Sequence, residues 1–380
     1  MKYFKPVYKG IKRPFKFLKI FFKQKAGWLD VPKILPYKGY GNETDVFIEG
    51  VVIEDKGLAK PKDNQRFWQN MLATIKRFSG DEIPRVKVKA EFMDEKQIAT
   101  TDEKGFFSFH FYLPDKKNEL LTKEWHSVHF RLLDKIVENQ PQVYTTGEVR
   151  IISKKQPRII VSDIDDTVMI SHSTQTLRKL HLMLFKNAHT RMPFPGVSQF
   201  YTLLADGKQK QENNPFFYVS SSEWNLYDLV DDFFSFNILP KGVFLLRKLN
   251  HSIYKFWKSG SGNHEHKYKK IKALLEFYPE QKFILIGDSG QQDPQIYARI
   301  AFEFPGRVEA IYIRRIGSKS FAEKQKNTNK KLLLVNTLYS EVKDTIQAAR
   351  HAANNGLINS GFAAETEPFQ KKQPPPGSTL

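Results

Sequence analysis

The chain has 380 residues, 40% of them hydrophobic and 27% charged, with no cysteine. That length supports about two to three domains with their own cores, and the composition excludes an overall disordered, collagen-like or membrane-embedded chain. Without cysteine there are no disulfide scaffolds, cysteine nucleophiles or cysteine-based zinc or iron–sulfur sites, and a net charge of +19 favours anionic partners such as phosphorylated metabolites, nucleic acid or acidic lipid.

Residues 1–43 read as a basic aromatic arm. Met1 to Gly27 carries nine basic residues and no acid, and Lys12, Arg13, Lys16 and Lys19 interleave with Phe15, Phe21 and Phe22. Such a stretch suits an anionic membrane surface, aromatics at the acyl boundary and lysines on phosphates. Lys16 and Lys19 interrupt the apolar runs, so the stretch fits neither a membrane span nor the apolar core of a secretion signal. The expectation is a cytoplasmic protein that associates peripherally with membrane; a solvated tail, or one docked on its own domain, is the competing reading.

Residues 44–152 alternate with period two, as in Val46 to Ile53, Val86 to Phe92 and Phe107 to Phe111, which predicts a β-rich, sandwich-like domain. One helix is expected over 64–78, capped by Asp63 and stopped at Gly80, and Thr101 to Gly105 reads as a turn. Nothing here has catalytic spacing, and a packing or recognition module is the favoured reading.

From Arg158 the rhythm changes to short apolar runs alternating with helical segments, the pattern of a parallel sheet in an α/β domain. The runs begin at Arg158, Phe216, Val243, Phe283 and Ala310, and three of them end in Asp163, Ser220 and Asp288. Open α/β sheets place their ligand crevice at such carboxyl ends.

Asp163-Ile164-Asp165-Asp166-Thr167 is the informative motif. A calcium loop also begins Asp-x-Asp, but its sixth position would be Val168 instead of Gly and its twelfth Thr174 instead of Glu. Phosphoryl transfer to an aspartate needs a nucleophile, an acid/base, a hydroxyl and a cation on the phosphate, and acids for Mg2+. Asp163 would attack phosphorus and Asp165 would protonate the leaving oxygen and then activate water. Ser220 would bind a phosphate oxygen, Lys267 would neutralise its charge, and Asp288 would hold Mg2+ with Asp163 and Asp165. Asp293, Asp166 and Thr167 would support these groups from the next layer or hold the metal themselves. Alternatives stay open: Ser220 could cap a helix, Asp293-Pro294 is an ordinary helix start, and Lys267 lies among other lysines that could simply be solvated.

These stretches, together with Pro193-Phe194-Pro195-Gly196, Tyr218 to Ser222, His266-Lys267 and Ile286 to Pro294, resemble the haloacid dehalogenase superfamily. Within it they are similar to the phosphatidate phosphatases related to the actin patch protein of yeast. The resemblance spans roughly residues 157–316 and implies a Rossmannoid parallel sheet with a small helical cap, Mg2+ dependence and an aspartyl-phosphate intermediate. It also strengthens Lys267. Glu223 departs from it, standing where the family carries proline, and no Pro-x-x-Pro motif for a protein partner is evident.

Residues 168–215 would form the cap insertion, with a helix over 176–188 whose Arg178 and Lys179, with nearby Arg191, are candidates for the substrate. Residues 317–362 read as a helical extension, its helix spanning 336–354, and 363–380 as a disordered tail. The favoured activity is hydrolysis of phosphate monoesters, phosphatidate first. A phosphatase for soluble metabolites or nucleic-acid ends is the alternative; a lipid- or nucleic-acid-binding module with a relict site is the non-enzymatic one. Binding of nucleic acid itself is disfavoured.

Overall fold

The computed structural model describes residues 20, 22–55, 80–164, 167–168, 194–247, 264–316 and 331–359. The chain divides into two compact units, Met1–Ile151 and Ile152–Leu380. The helix expected over 64–78, the cap helix over 176–188 and the tail 363–380 lie outside the described residues, as do Asp165, Asp166, Arg178, Lys179, Arg191, Lys12, Arg13, Phe15, Lys16, Lys19 and Phe21.

Alternating side chains build the first unit. Its strands are β1 (Pro32–Pro36), β2 (Gly39–Gly41), β3 (Asp45–Glu54), β4 (Lys87–Phe92), β5 (Glu95–Thr100), β6 (Phe106–Tyr112), β7 (Trp125–Leu132) and β8 (Tyr144–Ile151). In β6 and β7 every second residue is buried, so one face of each strand joins the core of Val46, Ile48, Phe109, Phe111, Val128 and Phe130. The strands form one mixed sheet, antiparallel except for the β2–β8 pair, and the Gln97 side chain of β5 donates to the His110 carbonyl of β6 at 2.9 Å. The expected turn is present: Asp102 Oδ1 accepts from the amides of Lys104 at 2.8 Å and Phe106 at 2.9 Å, and Gly105 takes φ +74°.

One expectation for this unit needs correction. The arm does not run to residue 43, because β1 and β2 already pair with β3, so the sheet starts at Pro32. Lys23, also within the arm, bonds the buried Glu54 carboxylate at 2.9 and 2.8 Å and Asp81 at 2.9 Å, which ties this part of the chain to the first unit. The strands of this unit make one continuous sheet that folds over a shared core, with the ring of Phe111 of β6 5.5 Å from that of Phe92 of β4 and the ring of Phe107 5.5 Å from that of Phe130 of β7.

The second unit is α/β. Its six strands, β9 (Arg158–Asp163), β10 (Phe216–Glu223), β11 (Gly242–Arg247), β12 (Lys282–Asp288), β13 (Val308–Arg314) and β14 (Leu338–Val342), are all parallel in the order β11-β10-β9-β12-β13-β14. Continuous burial explains the unbroken apolar runs, since Ile159 to Val161 and Phe283 to Leu285 are covered on both faces. The helices are α1 (Val197–Asp206), α2 (Tyr227–Phe236), α3 (His264–Phe277), α4 (Asp293–Glu303) and α5 (Thr345–Asn354). Phe216 stacks on Tyr201 of α1, whereas its neighbour Phe217 meets Tyr278 just after α3. Alternation therefore assigns α1 and α3 to opposite faces. α4 packs on α3, and α5 packs on α1.

The segment expected to be one helix over 336–354 contains a strand, β14, which extends the parallel sheet, followed by α5. Residues 317–362 are thus not a purely helical extension. The cap assignment of 168–215 is also too long: α1 buries Val197, Phe200, Tyr201 and Leu204 against the sheet.

Candidate active site

Strand order decides where the site lies. From β9 the chain adds β10 and β11 on one side, then crosses to add β12, β13 and β14 on the other, so the order reverses between β9 and β12. The two connections diverge there and leave a crevice at the carboxyl ends of these strands. Asp163 ends β9 and Asp288 ends β12, and register brings them to the same edge, with Ser162 opposite Ile286.

Lys267, in the first turn of α3, reaches this edge fully buried. Its Nζ donates to Asp163 Oδ1 at 3.0 Å and to Asp293 Oδ1 at 2.5 Å. Burial alone would push the ammonium pKa down, but the Asp163 and Asp293 carboxylates outweigh it and hold the pKa above the usual lysine value. Lys267 is therefore not one of the solvated lysines, and Asp293, which opens α4, does more than start a helix.

Asp163, Asp288 and Asp293 are all buried and each offers a carboxylate oxygen within 4.8 Å of the others. Asp288 Oδ1 accepts from the amides of Gly290 at 2.6 Å and Gln291 at 3.0 Å, while its Oδ2 has no hydrogen-bond partner among the described residues. Burial, then the Asp293 charge, pushes the Asp288 carboxyl up to about 6. Three carboxylates against one ammonium leave a deficit of about two positive charges when all are ionised, which a hard divalent cation would offset. An all-oxygen donor set suits Mg2+ better than a softer metal. The residues present therefore fit such an ion, with Asp163, Asp288 and Asp293 each able to offer one oxygen.

Close approach is possible because Gly287 has no side chain: a Cβ there would lie 2.4 Å from Asp293 Oδ2. Ser220 stands one residue beyond Val219, the register partner of Asp163, and is buried at the same edge. Thr167 is buried too, close in sequence to the nucleophile candidate. Behind the site, Ser162 Oγ donates to the Asp163 carbonyl at 2.7 Å and lies 2.6 Å from Tyr201 Oη, which fixes the strand end to α1. The Gly287 contact, the Tyr201 buttress and Arg314 at the end of β13 were not anticipated. Arg314 alone had a visible signal, a cation at the carboxyl end of an apolar run.

Residues 158–315 match the model of the phosphatidate phosphatase APP1 catalytic domain. The match covers less than half of the chain. Phosphatidate phosphatase APP1 of Saccharomyces cerevisiae is 32% identical over 155 residues, 41% of this chain and 25% of that protein. An uncharacterised protein of Schizosaccharomyces pombe is 28% identical over 284 residues, 72% of this chain and 44% of its own length. The chain thus spans less than half of either relative. A carbohydrate acetylesterase structure from Xanthomonas citri aligns over 82% of this chain and 68% of its own at 8% identity, with a TM-score of 0.27. The APP1-type region coincides with β9 to β13, and all four of Asp163, Lys267, Asp288 and Asp293 fall inside it.

Proposed function

We propose that the chain is a phosphatase that cleaves phosphate monoesters through an aspartyl-phosphate intermediate, with phosphatidate as the favoured substrate and diacylglycerol as the product. The observation that carries this reading is a buried aspartate at the sheet's switch point, held by a buried lysine beside two further aspartates. A haloacid dehalogenase-like arrangement agrees with the all-parallel sheet and with the order of the motifs. The substrate class rests on the APP1-type domain and on the basic aromatic stretch before Gly27.

Lys267 fixes one oxygen of Asp163 and supplies positive charge where the transferring phosphoryl group gathers negative charge. Asp163 forms the bond to phosphorus as the ester oxygen leaves. Asp165 gives that oxygen its proton and later takes one from the water that hydrolyses the acyl phosphate. Ser220 holds a phosphate oxygen, and Asp293 keeps Lys267 charged and aimed. Mg2+, held by Asp163, Asp288 and the Asp165 carbonyl, would supply charge neutralisation on the phosphate and align it for in-line attack. Asp166 and Thr167 are assigned to support around the reacting groups, and Arg178, Lys179 and Arg191 to substrate contact. Among the described residues no helix is long and apolar enough to cross a membrane. Access to a lipid substrate is assigned to peripheral contact by the basic aromatic arm, from the cytoplasmic side.

The deciding experiment measures phosphate release from phosphatidate vesicles and from a soluble aryl phosphate, with Mg2+ or chelator, for the wild type and Asp163→Asn. Release that needs Mg2+, disappears in the variant and favours vesicles is expected. Cleavage of the soluble ester alone would overturn the lipid assignment, and no cleavage of either would overturn the enzymatic reading.

A further inference from the structure

On the face of the sheet opposite Lys267 lies a small cavity lined by Thr167, Tyr201, Ile286, Tyr312, Arg314 and Thr345. It leaves about 20 Å³ for the centre of a water-sized sphere, and its mouth is partly open to solvent. Three observations give this cavity a polarity that packing alone does not explain. Thr167 is only 2% exposed, and its hydroxyl has no hydrogen-bond partner among the described residues. Arg314 donates through one Nη to Thr345 Oγ at 2.8 Å and lies with its guanidinium 3.9 Å from the centre of the Phe194 ring, yet its buried Nε also lacks a partner. The other two hydroxyls are committed elsewhere, Tyr201 to Ser162 and Tyr312 to His351.

The charges have one sign. No carboxylate lines the cavity, and Arg314 has no carboxylate ion-pair partner among the described residues. The acid that acts on it electrostatically, Asp344, is exposed and caps α5 by accepting from the Gln347 amide. Thr345 is the first residue of α5, so the positive end of a ten-residue helix adds to the guanidinium. A guanidinium cannot shed its proton, and burying it without a counter-charge is costly. Satisfied together, the Nε–H of Arg314 and the hydroxyl of Thr167 would converge on one acceptor.

We infer that Arg314, Thr167 and the amino end of α5 form a binding site for a small inorganic oxyanion of the phosphate or sulfate class, separate from the position at which Asp163 would receive a phosphoryl group. The site stands on these contacts alone and does not depend on the proposed enzymatic activity. Occupancy would clamp the end of β13 to the Thr167 turn. It would also secure Phe194, whose amide donates to the Val168 carbonyl at 3.2 Å.

Crystals of the full chain soaked in selenate, with a parallel soak in bromide, test the site by anomalous scattering. A selenium peak within hydrogen-bonding distance of Arg314 Nε and Thr167 Oγ is expected, lost in Arg314→Met and in the nearly isosteric Thr167→Val. No peak there, a peak only beside Asp163 and Lys267, or bromide binding without selenate would each overturn the assignment. In solution, selenate is expected to raise the unfolding midpoint of the wild type by several degrees beyond an ionic-strength-matched control. An equal rise in Arg314→Met would also overturn it.

Discussion

At the scale of single residues, Lys267 shows how stability and chemistry share one group. Its ammonium compensates two aspartates that are themselves fully buried, so removing it leaves charge stranded in the interior. Lys267→Met is expected to lose roughly 3–5 kcal/mol of unfolding free energy and to lower kcat by about 10²–10³-fold in the protein that remains folded; denaturant titration and turnover at matched folded fraction measure the two. Its neighbour His266 behaves differently. Burial, then the charges of Lys270, Arg247 and Lys269, pushes the imidazole down to about 4, so the folded protein keeps it neutral where the unfolded chain, with a value near 6.5, takes up a proton. The unfolded state then binds more protons between about pH 6.5 and pH 4, and stability falls as pH drops through that window. Thermal unfolding across those pH values is expected to show a shallower acid loss for His266→Gln than for the wild type.

At the scale of elements, the five apolar runs of the second half became five parallel strands because a strand covered on both faces has little room for polar residues. The sixth strand escaped notice for a related reason. Val335, Leu338, Val342, Ile346 and Ala349 recur at helical intervals, and in a short edge strand running into a helix that spacing imitates one continuous helix. The Asp344 cap, which accepts from the Gln347 amide at 2.8 Å, marks the true helix start. Site residues were legible where chemistry coincided with strand ends, as at Asp163, Ser220 and Asp288. The pairing of Lys267 with Asp293 depends on how α3 meets α4, which no local pattern encodes. The turn between β12 and α4 offers a direct check. Gly287→Ala would push a methyl group into the Asp293 carboxylate, with an expected cost of about 1–3 kcal/mol from overpacking and a matching drop in activity, both readable from denaturant midpoints and turnover.

At the scale of the whole molecule, the two units carry separate cores, and the acidic cluster lies entirely in the second. A fragment spanning 152–380 is expected to fold and to cleave a soluble phosphate ester nearly as well as the full chain, while losing most of its activity on anionic vesicles; circular dichroism and parallel assays of both substrates measure this. About half of the net positive charge sits before Gly27, so vesicle activity of the full chain is also expected to fall as salt rises. The Val168 and Phe194 pair bears on how such a fold can diversify. The chain departs from the sheet's edge at Val168 and comes back at Phe194, and a backbone bond joins the two points. A change in the length of sequence between these two points therefore need not shift β9 or α1, and the strand ends that carry Asp163 and Ser220 keep their places.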